Sequence, residues 1–382
     1  MVDGVALARS AAALGVGGLV AATGAAVGFA SERYVMGRAL GVDDPYVNEP
    51  LGGLRGIPYA LESSDGVQLH VEVDGNDEPG PTVVFAHGYA LNQDCWHFQR
   101  RDLRGTARLV LYDQRSHGRS GRAPSDETSM RRLGTDLGEV IDHIVPPGPV
   151  VLVGHSMGGM SVMSLADQRP DLFGDRVVGV GLVATSAVLV REDEVNLRGR
   201  LNQALHRYGP GAVATAAKQP DLVESVRRTG NDLGYVLIKR FSFARQDISP
   251  ALVEFVAAMI AGTPVGVIAD FLPQFGAHDT RRALAALDRV ETLVVGAGGD
   301  QMTPVQHSRD IVAAVPSADY VEIPDAGHMV MLEHPELVTA HLRSLLARST
   351  RGTDHPIDDP GAVPVLLPRS ARRTRRPRSR RS

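Results

Sequence analysis

Apolar and polar positions alternate with two distinct periods along most of this chain. Short runs rich in β-branched residues occupy 82–86, 108–112, 150–153, 177–183, 292–295 and 320–323. Each closes near Gly, Asp, His or Pro, which predicts buried strands ending in turns. Residues 67–73 alternate strictly, as one arm of an edge hairpin would. Between the strands the spacing lengthens to that of a helix. Met130, Leu133, Leu137, Val140, Ile141 and Ile144 share one face, and Leu337, Val338, His341, Leu342, Leu345 and Leu346 share another behind Pro335. Strand and helix in alternation predict an α/β fold, a mostly parallel central sheet with helices on both faces.

The alternation lapses between about residues 188 and 289, where helical patterns such as 194–208 and 252–260 continue without a convincing strand. A structureless loop of that length is improbable, so the interval is expected to be a helical insertion placed as a lid over the carboxyl ends of the strands.

Both ends depart from the body. Residues 11–30 carry no charge and consist almost entirely of Ala, Gly, Val and Leu. They are expected to form a membrane anchor, with a cleaved export signal or a soluble Ala-rich helix as alternatives. Localisation follows that choice: membrane-associated, or else exported or cytoplasmic. From 349 onward Pro, Gly, Ser and Arg dominate, and eight arginines fall within 369–382, the composition of a disordered tail. The expected organisation is therefore a leading segment and linker at 1–50, a catalytic body at 51–348 and a tail at 349–382. The whole chain carries −4, so without the tail arginines the remainder carries −12. With no basic patch inside an acidic body, a nucleic-acid partner is not expected. The single cysteine, Cys95, excludes an internal disulfide.

Chemistry concentrates at the strand ends. The run 150–159, VVLVGHSMGG, feeds a strand into Ser156 between Gly154 and Gly158 and then into a helix of small residues. This is the G-x-S-x-G elbow, whose sharp turn leaves no room for side chains two positions either side of the serine. A serine hydroxyl needs a base, and the base an orienting acid. His328, after a strand and a Pro-Asp-Ala-Gly loop, suits the first role. Asp300, following Gly298-Gly299 and preceding Pro304, suits the second, with Asp325 a weaker competitor. The order serine, aspartate, histidine is that of the elbow class. Oxyanion donors are expected from the backbone amides of Met157, at the helix start, and of Tyr89, in the loop His87-Gly88-Tyr89-Ala90, where Gly88 lets the main chain approach a ligand.

With His87-Gly88, the loop DQRSHGRS from Asp113 to Ser120, the elbow, Asp300 and Gly327-His328, the chain resembles the α/β-hydrolase fold over residues 67–348. The resemblance implies that His87, Gly88 and the Asp113 loop brace the site, and Ser116 stands where glycine is more common. It extends to the haloperoxidase, epoxide hydrolase and small-ester hydrolase branch, some members of which use an aspartate nucleophile where this chain has Ser156. The expected activity is cleavage of a small-molecule carboxylic ester, hydrophobic if the anchor is real, with no metal and no organic cofactor. Cofactor-free perhydrolase or haloperoxidase chemistry would use the same residues, and a membrane-tethered binding protein without turnover is a second alternative, against which the full triad argues.

Overall fold

The computed structural model describes residues 44–75, 80–189, 231–351, 353 and 355–358. Segments 11–30, 194–208 and 359–382 fall outside the described residues.

Eight strands form one sheet: β1 (Ile57–Glu62), β2 (Gln68–Asp74), β3 (Thr82–Ala86), β4 (Arg108–Tyr112), β5 (Val150–His155), β6 (Val177–Val183), β7 (Glu291–Ala297) and β8 (Asp319–Ile323), in the spatial order β1-β2-β4-β3-β5-β6-β7-β8. β1 and β2 make the antiparallel edge hairpin, β2 meets β4 antiparallel, and every pair from β4 to β8 is parallel. All six residues of β5 are buried, as expected for the centre of a sheet covered on both faces.

Alternate residues of β5 feed separate cores. Val150 and Leu152 join Leu137, Val140, Ile141, Val162 and Leu165 from α2 (Met130–Ile144) and α3 (Met157–Gln168). Val151 and Val153 face Phe98 and Leu103 of α1 (His97–Leu103), together with the carboxyl-terminal helices described below. Cys95 and Trp96, just before α1, are fully buried in this second core.

Between β6 and β7 the described chain is helical: α4 (Asn231–Ser242), α5 (Pro250–Gly262), α6 (Val265–Ala277) and the short α7 (Leu284–Leu287). α7 packs into the sheet's first core through Leu284 and Leu287, so the chain has rejoined the body before residue 289. α8 (Gln306–Ala314) follows β7, and α9 (Val330–Glu333) and α10 (Pro335–Ser349) follow β8, with Val338, Leu342, Leu345 and Leu346 of α10 closing the second core. Residues 44–50, expected as linker, lie on the body. Asp44 accepts from the Ser249 hydroxyl and the Ala251 amide at the start of α5, and Glu49 bonds the buried His97 ring. Among the described residues no single helix is long and apolar enough to cross a membrane.

Candidate active site

Parallel strands deliver their carboxyl ends to one edge, and three loops meet there. Ser156 directly follows β5, Asp300 lies three residues after β7, and His328 lies five residues after β8. Ser156 has φ +51° and ψ −118°, a left-handed backbone for a residue with a Cβ. Such strain persists only where the surroundings enforce it. Here they do: a Cβ on Gly154 would fall 2.5 Å from the Gly158 carbonyl carbon, and one on Gly158 would enter the Ala86 carbonyl.

His328 Nε2 stands 3.0 Å from Ser156 Oγ, and Nδ1 stands 2.8 Å from Asp300 Oδ2. A proton on Nδ1 donated to the carboxylate leaves Nε2 as an acceptor for the serine hydroxyl. The Asp300 carboxylate also accepts the Met302 amide at 2.8 Å, the Thr303 amide at 3.0 Å and the Thr303 hydroxyl at 2.8 Å. Burial alone would raise its pKa, but the His328 imidazole and these donors outweigh burial and hold it below the usual carboxylate range. Asp325 is exposed and its carboxylate lies 3.5 Å from the His334 ring, away from His328.

Among the described residues, the amides of Met157 and Tyr89 donate to no protein acceptor. Met157 opens α3, so its N–H is one of the unsatisfied donors of a helix start. The Tyr89 side chain has a role that its sequence position did not reveal: its phenol donates to the Ile268 carbonyl of α6 at 2.6 Å, and its ring packs on Phe271 and Phe275. Met157, Met160, Val267, Phe271 and Phe275 form a small buried apolar cluster beside that loop.

The bracing residues are interlocked. His87 Nδ1 donates to the Gly88 carbonyl at 2.7 Å and Nε2 accepts the Gln114 amide at 2.9 Å. Gln114 returns its side-chain amide to the His87 carbonyl and accepts from Ser161 of α3. Asp113, fully buried, accepts the amides of Gln93 and Arg119, each at 2.8 Å. Ser116 has φ +66°, the left-handed region glycine occupies without strain, and its Oγ accepts the Ala123 amide at 2.9 Å. His155, beside Ser156, donates from Nε2 to the His328 carbonyl at 2.9 Å. Burial pushes the imidazole of His87 down to about 4 and those of His117 and His155 to about 3. These three rings therefore stay neutral and act as fixed hydrogen-bonding groups.

Thr303 and His155 were not picked out from the sequence. An Asp side chain often accepts amides two or three residues on, which could have signalled the Thr303 amide, whereas nothing in residue type marks the Thr303 hydroxyl or His155. Among the described residues, no group of three or more His, Cys, Asp or Glu side chains is arranged to hold a metal ion.

Comparison with known proteins bears on this arrangement. The chain is 27% identical over 276 residues to the dihydrolipoyllysine-residue acetyltransferase component of the acetoin cleaving system of Pseudomonas putida, covering 71% of this chain and 65% of that protein. The chain thus spans less than two thirds of that relative's length. It is 23% identical over 277 residues to 3-oxoadipate enol-lactonase 1 of Acinetobacter baylyi, covering 72% of this chain and 92% of that one. A thermophilic esterase from Thermogutta terrifontis superposes with a TM-score of 0.58 at 25% identity, covering 76% of this chain and 98% of the other. Residues 83–341 match the family model described as the alpha/beta hydrolase family. That match runs from the second residue of β3 through the first seven residues of α10, including all three loops of the site, and the chain belongs to the α/β-hydrolase family as one of its enzymes.

Proposed function

We propose that this protein is a serine hydrolase that cleaves carboxylic esters through an acyl-enzyme on Ser156. The observation that carries the reading is the hydrogen-bonded line from Ser156 Oγ through His328 to Asp300. Its polarity is right for attack, since Nε2 is free to accept while Nδ1 is held by a carboxylate.

As Ser156 Oγ bonds to the ester carbonyl carbon, its proton passes to His328 Nε2 and the carbonyl electron pair moves onto oxygen. The Met157 and Tyr89 amides, which have no protein acceptor among the described residues, receive that oxyanion. Collapse breaks the bond to the alkoxide, which leaves as the alcohol with the proton from Nε2. Water then repeats the sequence, with Nε2 taking its proton and returning it to Oγ as the acid departs. Asp300 stabilises the imidazolium at both stages without taking its proton.

Ser156 is only 7% exposed, so the hydroxyl offers an ester a restricted approach. The apolar cluster of Tyr89, Phe271, Phe275 and Met160 favours a hydrophobic acyl or alcohol group. Tethering through residues 11–30 would hold the enzyme near such substrates, and carbonate-resistant sedimentation with membranes tests it. The similarity to an esterase and an enol-lactonase supports the reaction class.

A fluorophosphonate probe tests the nucleophile. Labelling of the wild type at Ser156, absent in Ser156→Ala, and hydrolysis of p-nitrophenyl esters by the wild type alone are expected. Equal labelling of the two proteins would overturn the assignment. Peracid formation exceeding ester hydrolysis in the same preparation would favour peroxide over water as the acyl acceptor.

A further inference from the structure

We propose that Glu333 is a positioning residue for His328, and that through it the helical insertion between β6 and β7 sets where the base stands. The inference rests on reading Ser156, His328 and Asp300 as the catalytic triad.

Glu333 ends α9 with its carboxylate buried. Oε2 accepts the Gly327 amide at 2.6 Å, immediately before the base. Oε1 accepts the amides of Arg245 at 2.7 Å and Ala244 at 3.1 Å, just beyond the end of α4. The next amide after the base, that of Met329, donates to the Ser242 carbonyl at 2.8 Å. The main-chain donors flanking His328 on both sides are thus held either by Glu333 or by the insertion itself. There is no slack between the two segments, because a Cβ on Gly327 would fall 2.6 Å from the Ala244 nitrogen.

The chemistry of the clasp argues for a role beyond packing. Among the described residues Glu333 makes no ion pair, and a buried carboxylate without one carries a desolvation penalty that an apolar side chain of similar shape would not. The nearby Arg245 guanidinium pairs with Asp247 instead. What the carboxylate supplies, and an apolar group cannot, is two acceptor oxygens that receive amides from two segments more than 80 residues apart in sequence. A displacement of the 242–245 turn therefore moves Gly327, and His328 with it. With the insertion seated, Nε2 stands at bonding distance from Ser156; with it displaced, the base loses register. The 242–245 turn and the loop of the base are in this way held as one unit.

The test uses the full chain and p-nitrophenyl butyrate. Glu333→Gln keeps the shape but turns one oxygen into a donor that faces an amide. We expect kcat to fall about 10²-fold, the effect of a small misplacement of a catalytic group, with KM changing less than about 3-fold. Fluorophosphonate labelling of Ser156 should slow in proportion, and Glu333→Asp should recover part of the loss. A folded Glu333→Gln enzyme with wild-type kcat, or one altered in KM alone, overturns the proposal.

Hydrogen exchange on the wild type serves if that variant does not fold. After Ser156 is phosphonylated, amides at 244–245 should slow together with those at 327–329. Slowing at 327–329 with 244–245 unchanged overturns the coupling. Failure of wild-type Ser156 to label at all instead removes the triad reading, so the two failures are distinguishable.

Discussion

Two buried carboxylates flank His328, and folding shifts their pKa values in opposite directions. Asp300 and Glu333 are each 5% exposed, and each accepts backbone amides from the loops at the carboxyl edge of the sheet. Burial raises both. Asp300 nonetheless ends below its ordinary value because the His328 imidazole lies against it, with the Thr303 amide and hydroxyl adding to the effect. Glu333 ends above its ordinary value, since burial exceeds what the amides of Gly327 and Arg245, the His334 ring and the Ala244 amide return. Amide dipoles satisfy a buried carboxylate's lone pairs, but an adjacent charge decides its protonation. The first carboxylate is built to face an imidazolium; the second is built to hold backbone.

The largest test of that division is Asp300→Asn, which keeps the shape and removes the charge facing Nδ1. A loss of about 10⁴ in kcat is expected, as for the equivalent change in other triads, far beyond that expected for Glu333→Gln. Similar losses in the two variants would break the comparison. Thr303→Val removes a hydroxyl from a buried charged acceptor. A hydrogen bond of that kind contributes about 1.5–3 kcal/mol, so kcat should fall by about one to two orders of magnitude.

The carboxylates should also give stability slopes of opposite sign. Asp300, lowered on folding, contributes stability that is present above its unfolded pKa near 3.8 and is lost as pH falls through the folded value. Glu333, raised on folding, binds its proton more tightly in the native state. Its contribution is fully favourable below the unfolded pKa near 4.5 and is lost as pH rises through the folded value. Urea denaturation across pH should show the wild type losing stability relative to Glu333→Gln as pH rises above about 4.5. Relative to Asp300→Asn, it should lose stability as pH falls below about 3.8. Slopes of the same sign would refute the contrast. The smallest effect is expected from Asp325→Asn, an exposed position, where kcat should stay within about 2-fold of wild type and stability within about 0.5 kcal/mol.

How far the sequence disclosed this arrangement depended on what each residue does. The interior strands were readable because burial on both faces forces continuous β-branched runs, as at 150–153. β1 gave no such signal, as five of its six residues, Leu61 aside, are exposed. The elbow was readable because sterics at Ser156 demand glycine on either side. His328 and Asp300 were readable because each follows a strand into a glycine-containing loop, and the structure brings both within bonding distance of their expected neighbours. Glu333, His155 and the Tyr89 phenol were not readable. Each binds a backbone group far away in sequence, and a backbone group offers the same donor or acceptor whatever its side chain. The contacts of residues 44–50, expected as linker, were unreadable for the same reason, since Asp44 accepts from Ser249, 205 residues away.

Cys95 has a practical consequence. It is the chain's single thiol, wholly enclosed beneath the loop that carries Gly88 and Tyr89, and burial raises its pKa well above the ordinary thiol value. A thiol reagent can reach it only when that half of the enzyme opens, so the rate of modification reports the opening of one known place. The protein therefore carries its own stopwatch for breathing at the Gly88–Tyr89 loop. Substrates or inhibitors that still the loop should lengthen the reading without any label having to be introduced.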